Sequence, residues 1–83
     1  MDIKVLGPGC AKCHSLEKTV REAVADLKLD IKVEEVKDMK EIMQYSILMT
    51  PGLVINGKVV MSGKVPSKAE VERYIKDALE AEG

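Results

Sequence analysis

Cys10 and Cys13 are the only cysteines in this chain of 83 residues, and only Ala11 and Lys12 separate them. At that spacing, on the first turn of a helix, two sulfurs can close a small disulfide ring and reopen it. Gly7-Pro8-Gly9 breaks the chain just before them, and a helical pattern opens just after. The sulfur nearer the helix start sits at the positive end of the helix dipole, which favours thiolate over thiol. A CxxC beside a strand-helix-strand pattern therefore reads as a redox pair. Two thiols are also half of a tetrahedral soft-metal site. His14 could then be a third ligand or tune the thiols, although a solvated surface histidine is the plainer reading.

Composition narrows the setting. The chain is long enough for one domain, 1–83, and it buries only about 60–65% of its unfolded surface, so the core is thin. Phe and Trp are absent, which leaves aliphatic side chains and methionine to fill that core. Met39, Met43, Met49 and Met61 read as such filler rather than as a copper-binding set. Tyr45 and Tyr74 read as half-buried packing residues with wet hydroxyls. The net charge is −1 with no basic stripe, which argues against nucleic acid as a partner. Apolar runs are too short to span a membrane. The chain opens directly on a strand pattern with no leader, which predicts a cytoplasmic, reducing location. There, two cysteines are expected to be catalytic, sensing or metal-binding rather than a structural staple. One Asn, one Gln and a third of residues charged is the bias of heat-adapted proteins.

Elements that could position the cysteines follow from periodicity. Ile3 to Leu6 reads as a short buried strand. Leu16, Val20, Ala23, Val24 and Leu27 share one helix face, with Glu17, Lys18, Arg21 and Glu22 covering the other side. Ile31, Val33 and Val36 suggest a second strand. Asp38 with Glu41 forms a capping box for a short helix whose buried stripe would be Met39, Ile42 and Met43. Leu53-Val54-Ile55, Asn56-Gly57 and Lys58-Val59-Val60-Met61 spell a hairpin on a type I′ turn. Ser67 with Glu70 caps a last helix striped by Val71, Ile75, Ala78 and Leu79. The order β-α-β-α-β-β-α predicts an α/β fold, a four-stranded mixed sheet flanked by helices. The CxxC lies at the carboxyl end of a strand, where such sheets place their sites.

The strand-turn-Cys10-Ala11-Lys12-Cys13-helix unit, Thr50-Pro51 ahead of a hairpin, and Gly63 after the last strand together resemble the thioredoxin/glutaredoxin superfamily. The run Gly7 to Cys13 is similar to its small, glutaredoxin-sized archaeal and bacterial members, and the match covers nearly the whole chain. The resemblance implies a cis bond before Pro51, which faces the disulfide, and substrate-binding backbone at Thr50. It also implies that Gly63 brings the backbone close to the site. Departures are visible too. Gly9 stands where an aromatic is usual, and Lys4 stands where thioredoxins carry a buried carboxylate, so the proton acceptor of the second thiol is unassigned. Met49-Thr50-Pro51 and Ser62-Gly63-Lys64 do not match the glutathione-binding pattern, so glutathione does not carry over as reductant.

The resulting expectation is a thiol-disulfide oxidoreductase that reduces protein disulfides and needs no cofactor of its own. Cys10 would be the nucleophile, its pKa lowered by free helix amides and by Lys12. Cys13 would resolve the mixed disulfide. Its partners would be disulfide-containing proteins and a flavoprotein thioredoxin reductase, with the chain acting as a monomer. Two alternatives stay open. One is a copper or zinc carrier, although such domains usually end on a strand and have no use for Thr50-Pro51. The other is a redox sensor or adaptor docking through the same face.

Overall fold

A computed structural model describes residues 1–47 and 49–82. Four strands, β1 (Ile3–Leu6), β2 (Val33–Val36), β3 (Gly52–Ile55) and β4 (Lys58–Ser62), form one sheet in the order β2-β1-β3-β4. The three helices are α1 (Ala11–Asp26), α2 (Met39–Met43) and α3 (Lys68–Glu82). β1 runs parallel to β2 and antiparallel to β3, and β3 pairs antiparallel with β4. The expected element order and mixed sheet are what the chain forms.

The apolar central strand explains the layering. Ile3 and Val5 point to one face of β1 and Leu6 to the other. On the first face they join Leu16, Val20, Ala23 and Val24 of α1 and Val71 and Ile75 of α3 in the main core. α1 and α3 lie side by side there, and an exposed ion pair from Lys68 to Asp26 links them and raises the Lys68 pKa. On the second face, Leu6, Val36, Val54 and Ile42 make a smaller core. Val33 and Val36, three apart, point to opposite faces of β2, and both are buried.

The expected α2 stripe is wrong in two of three positions. Ile42 is buried, but Met39 is 51% and Met43 70% exposed. Helix α2 is only five residues long, and the chain after it lays Tyr45 and Ile47 against the second core. Those two take the space the methionines would have filled. Met49 is also exposed, while Met61 is buried as core filler. On α3, Leu79 stands exposed and neighbouring Ala78 makes the contact with the main core.

Chain reversals use the expected chemistry. Asn56 and Gly57 have φ of 53° and 79°, the paired positive values of a type I′ turn. Asn56 also clamps the start of the chain: its N–H donates to the Asp2 carbonyl at 2.8 Å, and its Oδ1 accepts from the Asp2 N–H at 3.2 Å. Ser67 and Glu70 form the reciprocal capping box, with the Glu70 N–H donating to Ser67 Oγ and the Ser67 N–H donating to Glu70 Oε1. Asp38 caps α2 through the Lys40 N–H at 2.9 Å.

Helix α1 ends in a Schellman motif. The Leu29 N–H donates to the Val24 carbonyl and the Lys28 N–H to the Ala25 carbonyl. The pattern puts Lys28 at φ 55°, a left-handed conformation that disfavours a Cβ. Replacing it with glycine, Lys28→Gly, is expected to stabilise the protein by about 0.5–1 kcal/mol, because relief of backbone strain outweighs the extra freedom of the unfolded chain. A thermal melt checks this. The expected rise is a few degrees, at about 4–8 °C per kcal/mol for a chain of this size; an unchanged or lower midpoint would contradict the strain argument.

Candidate active site

The site forms where β1 ends and α1 begins. β1 runs in the core up to buried Leu6 and Gly7, after which Pro8, Gly9 and Cys10 emerge into solvent. Gly9 makes the turn with φ 103°. Cys10 is the N-cap of α1, with extended backbone at φ −72° and ψ 167°. Its sulfur accepts a hydrogen bond from the Cys13 N–H at 3.2 Å, taking the place of the usual cap oxygen. The Cys10 carbonyl accepts the His14 N–H at 3.1 Å and starts the helix.

Cys10 and Cys13 are joined by a disulfide, their Cα atoms 5.0 Å apart. The two sides of the bond differ. Cys10 is exposed at the helix tip, whereas Cys13 is 5% exposed, one turn further in. The first turn of α1 contains no acidic residue. Nothing there opposes negative charge on the Cys10 sulfur, and the free helix amides favour it. Lys12 and His14 are both exposed on that turn.

A second segment closes over the pair. The Thr50-Pro51 peptide bond is cis, and Pro51 is buried. The Gly63 N–H, at φ 75°, donates to the Pro51 carbonyl at 2.8 Å. A Cβ on Gly63 would sit 3.2 Å from the Met49 Cβ and 3.4 Å from its sulfur, so exposed Met49 lies directly along this glycine. Thr50 is half-buried beside Pro51. The fold thus gathers Thr50, Pro51 and Gly63 at one place, with Pro51 reaching Cys13 through Gly7.

Gly7 is the residue the sequence reading missed. It reads as one letter of a Gly-Pro-Gly turn, yet its backbone is the surface against which the Cys13 sulfur packs. A methyl there would collide with Cys13 Sγ, lie 3.1 Å from its Cβ and meet the Pro51 Cα at 3.9 Å. The Gly7 N–H is anchored on the Val36 carbonyl at 2.9 Å, so the strand end has little room to retreat. The only available signal was position: a glycine three residues before the first cysteine, at the end of an apolar strand.

Lys4 lies on the α2 side of β1 and donates to the Tyr45 hydroxyl at 3.4 Å. That hydrogen bond, reinforced by the tyrosine's charge interaction, raises the Lys4 pKa above its ordinary value. Lys4 therefore stays cationic and offers no proton acceptor. Glu17 and Arg21, expected among the solvated residues of α1, are tied down: Arg21 Nη2 donates to the Val33 carbonyl at 3.3 Å, and Nε donates to Glu17 Oε1 at 3.4 Å. Two open grooves of about 490 and 400 Å³ run along β4 and α3, and neither is lined by Cys10 or Cys13. Among the described residues, no three of His, Cys, Asp and Glu converge as a metal-holding group, and no helix is long and apolar enough to cross a membrane.

Gly7→Ala is expected to push the Cys13 side chain outward and to cost about 1–3 kcal/mol through overpacking. In the reduced protein, alkylation of Cys13 should accelerate at least tenfold over the parent, followed by mass mapping of the labelled cysteine. Equal Cys13 labelling rates would show that the glycine is not what seats this sulfur.

Comparison with known proteins agrees with this geometry. A family model described as a thioredoxin domain matches residues 1–76. A thioredoxin of Methanothermobacter thermautotrophicus is 39% identical over 75 residues, covering 90% of this chain and 97% of that protein. A thioredoxin of Methanocaldococcus jannaschii is 35% identical over 78 residues, covering 94% and 90%. A protein named as a probable thioredoxin of Archaeoglobus fulgidus is 31% identical over 72 residues, covering 83% and 78%. With a disulfide at a helix tip, a buried cis proline beside it and these relatives along most of its length, the chain belongs to the thioredoxin family of thiol-disulfide oxidoreductases.

Proposed function

We propose that the protein reduces disulfides in other polypeptides by dithiol exchange. The observation that carries this reading is the asymmetry of its own disulfide, with one sulfur exposed at a helix N-terminus and its partner shielded one turn in. An exchange enzyme needs one thiolate that a substrate can reach and a second that only an intramolecular attack can use.

Cys10 thiolate attacks one sulfur of the substrate disulfide. A mixed disulfide forms, and the other substrate sulfur leaves as a thiolate. Cys13 then attacks Cys10 Sγ, the mixed disulfide breaks, and the substrate departs with both sulfurs reduced while Cys10 and Cys13 are oxidised. Thr50 offers backbone hydrogen bonds to the extended substrate segment, Pro51 and Gly63, bonded to each other, form the surface it lies on, and Lys12 adds positive charge beside the nucleophile. Two electrons from a reductase, of the flavoprotein class, restore the dithiol. The chain acts as a single domain and a monomer in a reducing cytoplasm.

Insulin reduction with dithiothreitol as electron donor tests the reading. The reduced protein should accelerate insulin precipitation without added copper or zinc. Cys10→Ser should abolish the effect, and Cys13→Ser should trap a mixed disulfide visible by mass spectrometry. Tight Cu(I) binding without turnover would replace this reading with a metal carrier. Equilibration with a dithiol couple separates two roles: a potential near about −270 mV supports a thioredoxin-like reductant, and one near about −200 mV a glutaredoxin-like one.

A further inference from the structure

Resolution of the mixed disulfide requires Cys13 to give up a proton, because only the thiolate attacks. Neither the β1 position occupied by Lys4 nor the first turn of α1 offers a carboxylate to take it. The first acid on α1 after the cysteines is Glu17, four residues beyond Cys13. Residues four apart share a helix face, with Cβ atoms about 5–6 Å apart. A helical side chain leans toward the helix N-terminus, over the preceding turn. Glu17 thus follows Cys13 by one turn along that face, while its Oε1 is held by Arg21 one turn further on.

The state of its carboxylate is unusual. Oε1 accepts from Arg21 at 3.4 Å, but Oε2 is cut off from solvent and has no hydrogen-bond partner. It is the only such atom among the described residues, and the Glu17 side chain as a whole is 21% exposed. Buried polar atoms are bonded as a rule, and an orphaned carboxylate oxygen needs a reason to persist. A thiol one helical turn back that must release a proton supplies one. We propose that Glu17 is the proton acceptor for Cys13 in the resolving step, an inference that rests on the exchange reading above.

The step balances. The Cys13 proton passes to Glu17 Oε2, and the freed sulfur electron pair attacks Cys10 Sγ. The bond from Cys10 to the substrate sulfur breaks, and that sulfur leaves with the bonding pair and is protonated by water. Glu17 returns its proton to solvent. The charged groups around Glu17 come from each element that packs on α1. α1 itself brings His14, Lys18 and Arg21. β2 brings Glu35, on the same sheet face as Val33 and ion-paired with Lys37 at 3.3 Å. β1 faces α1 with Ile3 and Val5, and α3 brings Lys68, which pairs with Asp26 at the far end of α1 itself.

Stopped-flow reaction of the reduced protein with dithionitrobenzoate separates the two thiols. The first release of nitrothiobenzoate reports Cys10 attack, and the second reports Cys13 resolving the mixed disulfide. Glu17→Gln is expected to leave the first phase unchanged and to slow the second at least tenfold between about pH 6 and 7.5, toward the lower end of general-base effects. The deficit should vanish near pH 10, where the thiol ionises unaided. Glu17→Asp should recover part of the rate, and Arg21→Met, which keeps the carboxylate but removes its cationic partner, should keep a fast second phase with its profile moved to higher pH. A normal first phase with an unaltered second-phase profile in Glu17→Gln overturns the proposal alone. No first phase in the unaltered protein overturns the exchange reading and this role with it.

Discussion

The bond from the Cys13 N–H to the Cys10 sulfur is the constraint on which the site depends. A helix start leaves four amides without intrahelical partners, and most helices satisfy one with a cap oxygen. Here the sulfur occupies the cap position. Whatever fixes the start of α1 thereby fixes the Cys10 sulfur, and the interaction strengthens if that sulfur is anionic, since hydrogen bonds to ionised acceptors are the stronger kind. The absence of acid from the first turn follows the same logic, because a carboxylate there would compete for these amides and repel the thiolate. Capping and activation are thus one interaction.

A cap works only if the helix is held against something that does not move. β1 supplies this, lying between β2 and β3 with helices over both of its faces. Its end passes through Gly7, anchored to Val36, and the missing side chain there leaves the volume that the Cys13 sulfur fills. Pro51 closes the far side, held by Gly63 from the end of β4. The end of β1 packs on this sulfur and the bonded Pro51–Gly63 pair stands behind it, each through backbone rather than through long side chains. In a protein without Phe or Trp, and with a correspondingly thin core, this is an economical way to build a rigid site.

Much of this was legible in the sequence because it rests on periodicity and turn chemistry. Leu16, Val20, Ala23 and Val24 announce their helix face, Asn56-Gly57 its turn, and Ser67 with Glu70 its cap, since each is a local pattern with a local cause. The failures have local causes as well. Met39 and Met43 match a stripe, but a five-residue helix covers little surface, and Tyr45 and Ile47 occupy it instead. Gly7 looks like a turn residue because its role is an absence of atoms, felt only by a sulfur six positions later. Glu17 falls among charged neighbours and so reads as solvated; its buried oxygen depends on how α1 lies on β2, which no window of residues encodes.

The position of Lys4 ties these observations together. A lysine on the α2 side of β1, paired with Tyr45, cannot accept a proton while its pKa is raised. A protein that must ionise an inward thiol at neutral pH then has two routes. It can wait for hydroxide or water, which reach poorly a sulfur that is 5% exposed, or it can place an acceptor beside the thiol. A strand position supplies that acceptor only if its side chain points at the sulfur, and Lys4 has vacated that option. A helix offers the same proximity by another rule, since the residue four positions on stands over the one before it. A carboxylate on the helix stands one turn from the thiol and leaves β1 free to carry a cation on its other face. What the arrangement gives up is hydrogen bonding for one carboxylate oxygen, a cost of about 1–3 kcal/mol that selection would remove unless the oxygen had work to do.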